Sequence, residues 1–565
     1  MLTRSPGRSR LSVAAGAVLA VISALTIAHW AVLVLHFPDL SELKGWCWIV
    51  HPKPTGAPWL ILLLIAVPSA ILYYLVRRSP PASTFSESHV APTPQWIAAP
   101  AGATVPEQRR LHPAIGLALL IGLGSFLQFG FVGLEGRGIA ALREKMVDSD
   151  YHEFAALAVE EDSLLRVVSN YDSLVDRGAL GQLPQSKPPG QLLLYMLTER
   201  LANLGDIDQP RGFRLRRLET LATYLWPVLS TLVLIPLFFL TRSLFDERRA
   251  MVACALCAFV PSMNLIVLLA DQVFFPTFFL TAVLLSATAV RRNSLAWSFA
   301  AGTVIYLAIF CSFGLVFAIP VALGVCFALC FDPETGKIDI RRFIRISTCI
   351  LISALLVDGV FRVAFGYDVV LRYQKAVLFH LRWKTWVPGS ENVVYYGSLN
   401  LLEFAVWLGL PLTLLAWLHC GRAMLSAAIP NYGNSSPKRG ARIARRDDRE
   451  CREYSRKEQR REAGCPARNT WSYLGIGALR TVRLRVDRAA LLSWTVFGAV
   501  LALAYLGQTK NEVARLWLFM VPLFCVLAAD EIETRFRESG NMPLVLIALL
   551  QGGTVYVTKI MQDFY

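Results

Sequence analysis

Four stretches of this 565-residue chain combine carboxylates and cations in ways suited to handling a phosphate. The first, DSDYHEFAALAVEED at 148–162, carries Asp148 and Asp150 ahead of apolar positions (Phe154, Leu157, Ala158, then Leu164 and Leu165) that suit a helix lying along a membrane face. In the second, QSKPPGQLLLYMLTERL at 185–201, Pro188 and Pro189 cannot continue a preceding helix but can open one. Lys187 therefore falls in an extended segment before an amphipathic helix. A lysine there can hold a phosphate as a point charge, or simply touch lipid headgroups. The third is VLLADQVFFPTFFL, where Asp271 stands between two apolar runs and either faces a polar cavity or serves as a turn residue with Gln272. The fourth is GQTKNEVARLWLFMVPLF at 507–524, with Lys510, Glu512 and Arg515 at the mouth of an apolar run. An interfacial arginine needs a partner, so Glu512 or a ligand anion must face Arg515.

The elements that position these residues must cross a membrane. The chain is 55% hydrophobic and 17% charged, with a mean hydropathy of +0.47, against about 45–50% and 25% for a soluble domain. Thirteen apolar runs are long enough to span, at about 11–36, 57–76, 112–133, 218–240, 250–270, 272–290, 295–312, 313–331, 343–365, 398–419, 489–507, 515–530 and 542–558. Helices satisfy their own backbone in lipid, and no alternating barrel pattern is present. The predicted fold is all-α: a polytopic integral membrane protein with about thirteen transmembrane helices and a large amphipathic first outward loop. The first run resembles a signal peptide in its basic start, but its length favours a retained anchor.

Lys and Arg placement sets the expected sidedness. Arg4, Arg8 and Arg10 hold the N-terminus in the cytoplasm, and strict alternation then puts the later basic clusters inside. The block 421–488 carries 17 Lys/Arg against 7 Asp/Glu, a net of +10 out of the chain's +15, and also lands inside. The expected organisation is a two-span anchor (1–78), a Pro/Ser-rich cytoplasmic linker (79–110), a membrane core (111–420) with outward loop 134–217, the basic loop 421–488, and closing helices (489–565). All four stretches then share the outward face of a plasma (inner) membrane. The outward loop 366–397 adds Arg372, Lys375, His380, Arg382 and Lys384 among Tyr373, Trp383 and Trp386, which reads as membrane anchoring or as a sugar- or phosphate-binding rim. The basic block lacks the aromatic interleaving of a nucleic-acid surface, so no nucleic-acid partner is expected. Most of the 11 cysteines sit in apolar runs, and the Cys254/Cys257 pair has no second pair with which to bind zinc.

At these residues the sequence resembles the polytopic GT-C glycosyltransferases, in the branch of the protein O-mannosyltransferases, the lipid A aminoarabinose transferase and the RgtA/B/C/D-like enzymes. DSDYHEFAALA follows the span at 112–133 as the family's aspartate-containing first loop does. SKPPGQLLLYML is similar to its K-P-P-L-Y-Y motif, with Gly190 for the usual leucine. PSMNLIVLLADQVFFPTFFL is similar to its P…D-x-P segment, with Val273 where proline is common, and KNEVARLWLFMVPLFCVLAA to its late R-Y-x-x-P-x-x-P helix. The likeness covers about 112–530 in order, and the outward C-terminal domain of some members is expected to be missing.

The resemblance implies transfer of one sugar from a polyprenyl-phosphate donor to a glycan, lipid or protein acceptor on the outer face. It implies Asp150 as the base, with Asp148 as competitor, Asp271 assisting the acceptor, and Lys187 with Arg515 gripping the phosphate. Lys510 is a further phosphate cation, and Tyr151 and Glu512 are substrate-positioning residues. No cofactor is expected; a divalent ion on the D-S-D carboxylates is the less favoured alternative. Competing readings are a transporter or flippase of lipid-linked sugars, an O-antigen ligase or polymerase, and a membrane scaffold. The first lacks the expected internal repeat.

Overall fold

The computed structural model describes residues 13–37, 58–78, 112–134, 137–149, 151–204, 208–266, 268–332, 335–384, 392–428, 488–506 and 513–562. Asp150, Lys510, Glu512, the Pro/Ser-rich linker and the basic block beyond residue 428 lie outside them. Three apolar helices come first: α1 (Val13–Val34), α2 (Pro58–Arg78) and α3 (Pro113–Gly133). The segment after α3 then folds into α4 (Ile139–Asp148), α5 (His152–Glu160), α6 (Leu164–Asp176), the one-turn α7 (Gln182–Gln185) and α8 (Pro189–Ala202). A central group follows: α9 (Arg211–Thr231), α10 (Leu234–Leu244), α11 (Glu247–Ala258), α12 (Pro261–Leu265), α13 (Ala270–Val273), α14 (Phe275–Arg292), α15 (Leu295–Cys311) and α16 (Ala318–Cys330). The remainder comprises α17 (Ile340–Phe365), α18 (Val369–Lys384), α19 (Val393–Leu408), α20 (Leu410–Ala428), α21 (Arg488–Leu506), α22 (Val513–Leu516), α23 (Val521–Arg535) and α24 (Met542–Met561). Among the described residues the only strands are a two-residue antiparallel pair between α16 and α17, with Phe331 opposite Ile338.

Local chemistry sets the helix ends. Proline opens α3, α8 and α12, where its missing N–H costs nothing. Ser163, Asp246, Asp339 and Asn392 accept N–H bonds at the starts of α6, α11, α17 and α19. Asn293 and Gly366 end α14 and α17 in the left-handed conformation.

Among the described residues helix occupies all thirteen apolar runs, but seven helices are long and apolar enough to cross a membrane, or eight if one bent pair is a single span. The count of thirteen is therefore not confirmed. The run at 398–419 bends by 112° between α19 and α20. Gly409 makes the bend, with φ +90°, and a Cβ there would stand 1.9 Å from Gln551 Oε1. The run at 250–270 divides into α11 and the five-residue α12, and that at 515–530 into α22, a 3-10 turn and α23. The run at 218–240 belongs to a longer, 34-residue helical stretch, Arg211–Leu244. Hydropathy does not register these breaks, because helix ends packed inside protein find partners that lipid cannot supply.

Two cores hold the helices. The larger joins α3, α10, α11, α14, α15, α16, α21, α23 and α24. The smaller ties α5, α8, α9 and α13 together. Toward the far end of α23, about 14–21 Å from its start at 1.5 Å per residue, a buried ionic network closes the bundle. Asp530 accepts from Arg249 Nε (2.7 Å) and Arg422 (2.9 Å), Glu531 from Arg422 (2.8 Å) and Arg535 (2.6 Å), and Glu533 pairs with Arg248 (2.6 Å). The basic residues opening α11 and closing α20 thus meet at one end of the molecule.

Candidate active site

An aromatic column in the smaller core aligns the segments that carry the expected site. Phe154 on α5 stacks on Tyr195 of α8 (5.6 Å, 18°), Tyr195 meets Trp226 of α9 edge-on (4.8 Å, 75°), and Trp226 meets Phe274 (5.7 Å, 80°). Phe274 directly follows α13, the one-turn helix that contains Asp271. Edge-on and offset contacts between buried rings fix relative orientation as well as burying area. The backbone just before α13 is strained: Leu268 is buried with φ +73°, a conformation rare for a branched residue.

The expected membrane-face helix at 148–162 is instead two helices broken at 161–163. In α5, Phe154, Ala155, Leu157 and Ala158 are buried, whereas Leu165 on α6 is 64% exposed. Asp148 closes α4 and Tyr151 opens α5. The turn between them is bracketed by one buried carboxylate: Glu219 of α9 lies 3.8 Å from Arg143 on α4 and 4.0 Å from His152 on α5.

The segment expected to be extended before α8 is instead the one-turn α7 followed by a bend at Lys187, and the extended residue is Pro188 alone. Pro188 is extended (φ −76°, ψ 164°) and α8 starts at Pro189. The loop before it is fastened from several directions. Glu153 Oε1 and Oε2 accept from the backbone N–H groups of Gln182 (3.2 Å) and Leu183 (2.8 Å). Tyr171 donates its hydroxyl to Pro184 O (2.9 Å), and burial pushes that phenol's pKa up, so it remains a donor. The fully buried Arg372 of α18 donates to Gln185 O and to Asp172 (3.3 Å), and Lys375 pairs with Asp176 (2.8 Å). The loop 366–397 was expected either to anchor at the interface or to form a binding rim. For Arg372 and Lys375 the rim is corrected: these cations bind carboxylates of α6. The side chains of His380, Trp383, Lys384 and Trp386 lie outside the description.

Arg515 lies in α22, which is held by Glu403 of α19: the carboxylate, 1% exposed, accepts from Ala514 N (3.0 Å). The Arg515 guanidinium stands over the Tyr151 ring, 5.1 Å from its centroid. Its helix also packs against α13. Tyr151, Arg515 and the Asp271 segment therefore converge, and the Lys187 loop is tied through Glu153 to the helix that Tyr151 opens. Side chains of Asp148 and Asp271 lie outside the description. Among the described residues no group of three His, Cys, Asp or Glu side chains is placed to hold a metal.

The two departures from the motifs have local causes. A Cβ at Gly190 would meet Phe310 O at 2.4 Å, so α8 approaches the end of α15 as only glycine allows. Val273 donates its N–H to Leu269 O (3.1 Å), a bond proline cannot make.

Residues 213–358 match the family described as dolichyl-phosphate-mannose-protein mannosyltransferase. The match supports one identification: a GT-C superfamily member. The matched region holds α10 to α16 and most of α9 and α17, including Asp271. Two crystal structures of the Archaeoglobus fulgidus oligosaccharyltransferase are remotely similar. The form with zinc and sulfate is 13% identical, with a TM-score of 0.38 over 66% of this chain and 44% of that one. The apo form is 12% identical, with a TM-score of 0.40 over 79% and 55%. The chain thus spans about half the length of these proteins. No curated protein matches. Sequence reasoning passed over Glu153, Glu219 and Glu403. Only Glu403 left a signal, as a lone carboxylate inside an apolar run, the same reasoning that singled out Asp271.

Proposed function

We propose that this membrane glycosyltransferase moves a single sugar from a polyprenyl-phosphate donor to an acceptor on the extracytoplasmic face. The observation that carries the reading is the Arg515 guanidinium over Tyr151, the immediate neighbour of Asp150. It supports a base and a phosphate cation at one end of the bundle. In the proposed step Asp150 takes the acceptor hydroxyl proton as the acceptor oxygen bonds the anomeric carbon. The bond from that carbon to the phosphate oxygen breaks, its electron pair stays on the phosphate, and Lys187 and Arg515 stabilise the added charge. Asp271 orients the acceptor from α13, with Asp148 as alternative base. Tyr151 holds the guanidinium in place, Lys510 is a further phosphate cation, and Glu512 positions the substrate. In this reading the protein's own residues supply the chemistry, with a divalent ion on the D-S-D carboxylates as the less favoured alternative. The acceptor is a glycan, lipid or protein, and the donor reaches the site from the surrounding membrane lipids.

The test is incubation of purified protein with a panel of polyprenyl-phosphate sugars, scoring free polyprenyl phosphate. Release with one sugar, dependent on an acceptor, supports transfer. Translocation of intact donor across vesicles without release would establish a flippase instead.

A further inference from the structure

The geometry points to Glu153 and Glu403 as positioning residues that set where the two phosphate cations stand. The inference rests on reading Lys187 and Arg515 as the phosphate grip. Each cation is carried by or lies just beyond a four-residue helix, α7 for Lys187 and α22 for Arg515. A helix that short cannot hold its own position in the chain, so tertiary anchors must. In both places the anchor is a carboxylate accepting backbone N–H groups. Glu153 uses one oxygen on Gln182 N and the other on Leu183 N, at 3.2 and 2.8 Å. These are first-turn donors with no acceptor within the helix. The loop closes so tightly on the carboxylate that a Cβ at Gly181 would lie 2.4 Å from Glu153 Cδ. From there the chain is constrained to the cation, since Lys187 N donates to Pro184 O at 3.1 Å. Glu403 repeats the device at 3.0 Å on Ala514 N, the residue before Arg515. Bonds from ionised carboxylates to N–H groups are stronger than neutral ones, and a displacement of 1 Å at a reacting centre costs about a hundredfold in rate.

The test uses full-length protein in detergent or nanodiscs and a sugar-free polyprenyl monophosphate as probe. Affinity, amide exchange of 181–188 and melting are measured for wild type, Lys187→Ala, Glu153→Ala, Glu153→Gln and Glu403→Gln. Glu153→Ala is expected to weaken probe binding about tenfold and speed loop exchange while melting is kept, since only the alignment of one charged hydrogen-bonding group is lost. Glu153→Gln, which keeps one accepting oxygen, is expected to fall between, and Glu403→Gln to weaken binding without changing the 181–188 exchange. Wild-type affinity in Glu153→Ala beside weakened Lys187→Ala, or unchanged loop exchange, overturns the positioning role. So does a lowered yield or melting temperature with unaltered affinity, which marks a purely structural role. If no donor is turned over but phosphate binding still depends on Lys187 and on both glutamates, the transfer reading falls and the positioning roles stand. If binding ignores both Lys187 and the glutamates, the positioning roles fall.

Discussion

Tyr151 and Arg515 are 364 positions apart in the sequence, yet a ring face and a guanidinium meet at 5.1 Å. A cation held over an aromatic face gains about 0.5–2 kcal/mol, more where water is excluded. Tyr151→Phe keeps the face and is expected to keep donor affinity. Tyr151→Leu is expected to raise the donor KM by roughly two- to thirtyfold, the same energy expressed as a ratio. Steady-state kinetics on the two variants checks this, and equal KM values would remove the ring from the site. For the proposed base, Asp150→Asn is expected to lower kcat by about 10²–10⁴ while expression and insertion persist, because it removes the proton acceptor without changing shape. Near-normal turnover in that variant would move the base to Asp148 or discard the mechanism.

Helix α8 depends on a glycine and on a buried arginine behind its entry loop. Leucine at position 190, the residue usual in the resembling motif, would drive its Cβ to 2.4 Å from Phe310 O. Gly190→Leu is expected to destabilise by about 3 kcal/mol or more, since the obstacle is backbone and cannot swing aside. Thermal melting of purified protein measures it; a native melting temperature would mean that α8 and α15 are farther apart. Arg372, fully buried, pairs with the half-buried Asp172 between α18 and α6. Removing the buried arginine loses its packing and its charged hydrogen bonds, so Arg372→Ala is expected to destabilise by about 1–3 kcal/mol, and Arg372→Ala with Asp172→Ala together by less than the sum. Additive losses would show that the pair is not coupled.

Much of this architecture was legible because lipid imposes one rule on a spanning segment. The runs read at 112–133, 343–365 and 489–507 are helices within a few residues of their expected ends. The rule fails where a run turns inside the protein, as at Gly409, because the partners that permit the bend are remote in sequence. In the site, the start of α8 was placed by two prolines, whose geometry is local. Glu153 and Glu219 were invisible, because their partners are backbone N–H groups and side chains that only the tertiary fold brings near.

Across the whole molecule, charge divides between two ends of the bundle. One end carries the Asp530–Glu531–Glu533 network with Arg248, Arg249 and Arg422. The other carries Tyr151, Arg515, the Lys187 loop and α13. In the proposed function the first end faces the cytoplasm, as the positive-inside bias would have it, and the second faces the outer headgroups, where a lipid-linked phosphate would wait. Single cysteines placed at positions 150, 515 and 422 in a cysteine-depleted protein, labelled in intact cells with a membrane-impermeant maleimide, test this arrangement most directly. The expected result is labelling of 150 and 515 from outside and of 422 only after permeabilisation. Labelling of 150 and 515 from opposite sides of the membrane would contradict a shared site.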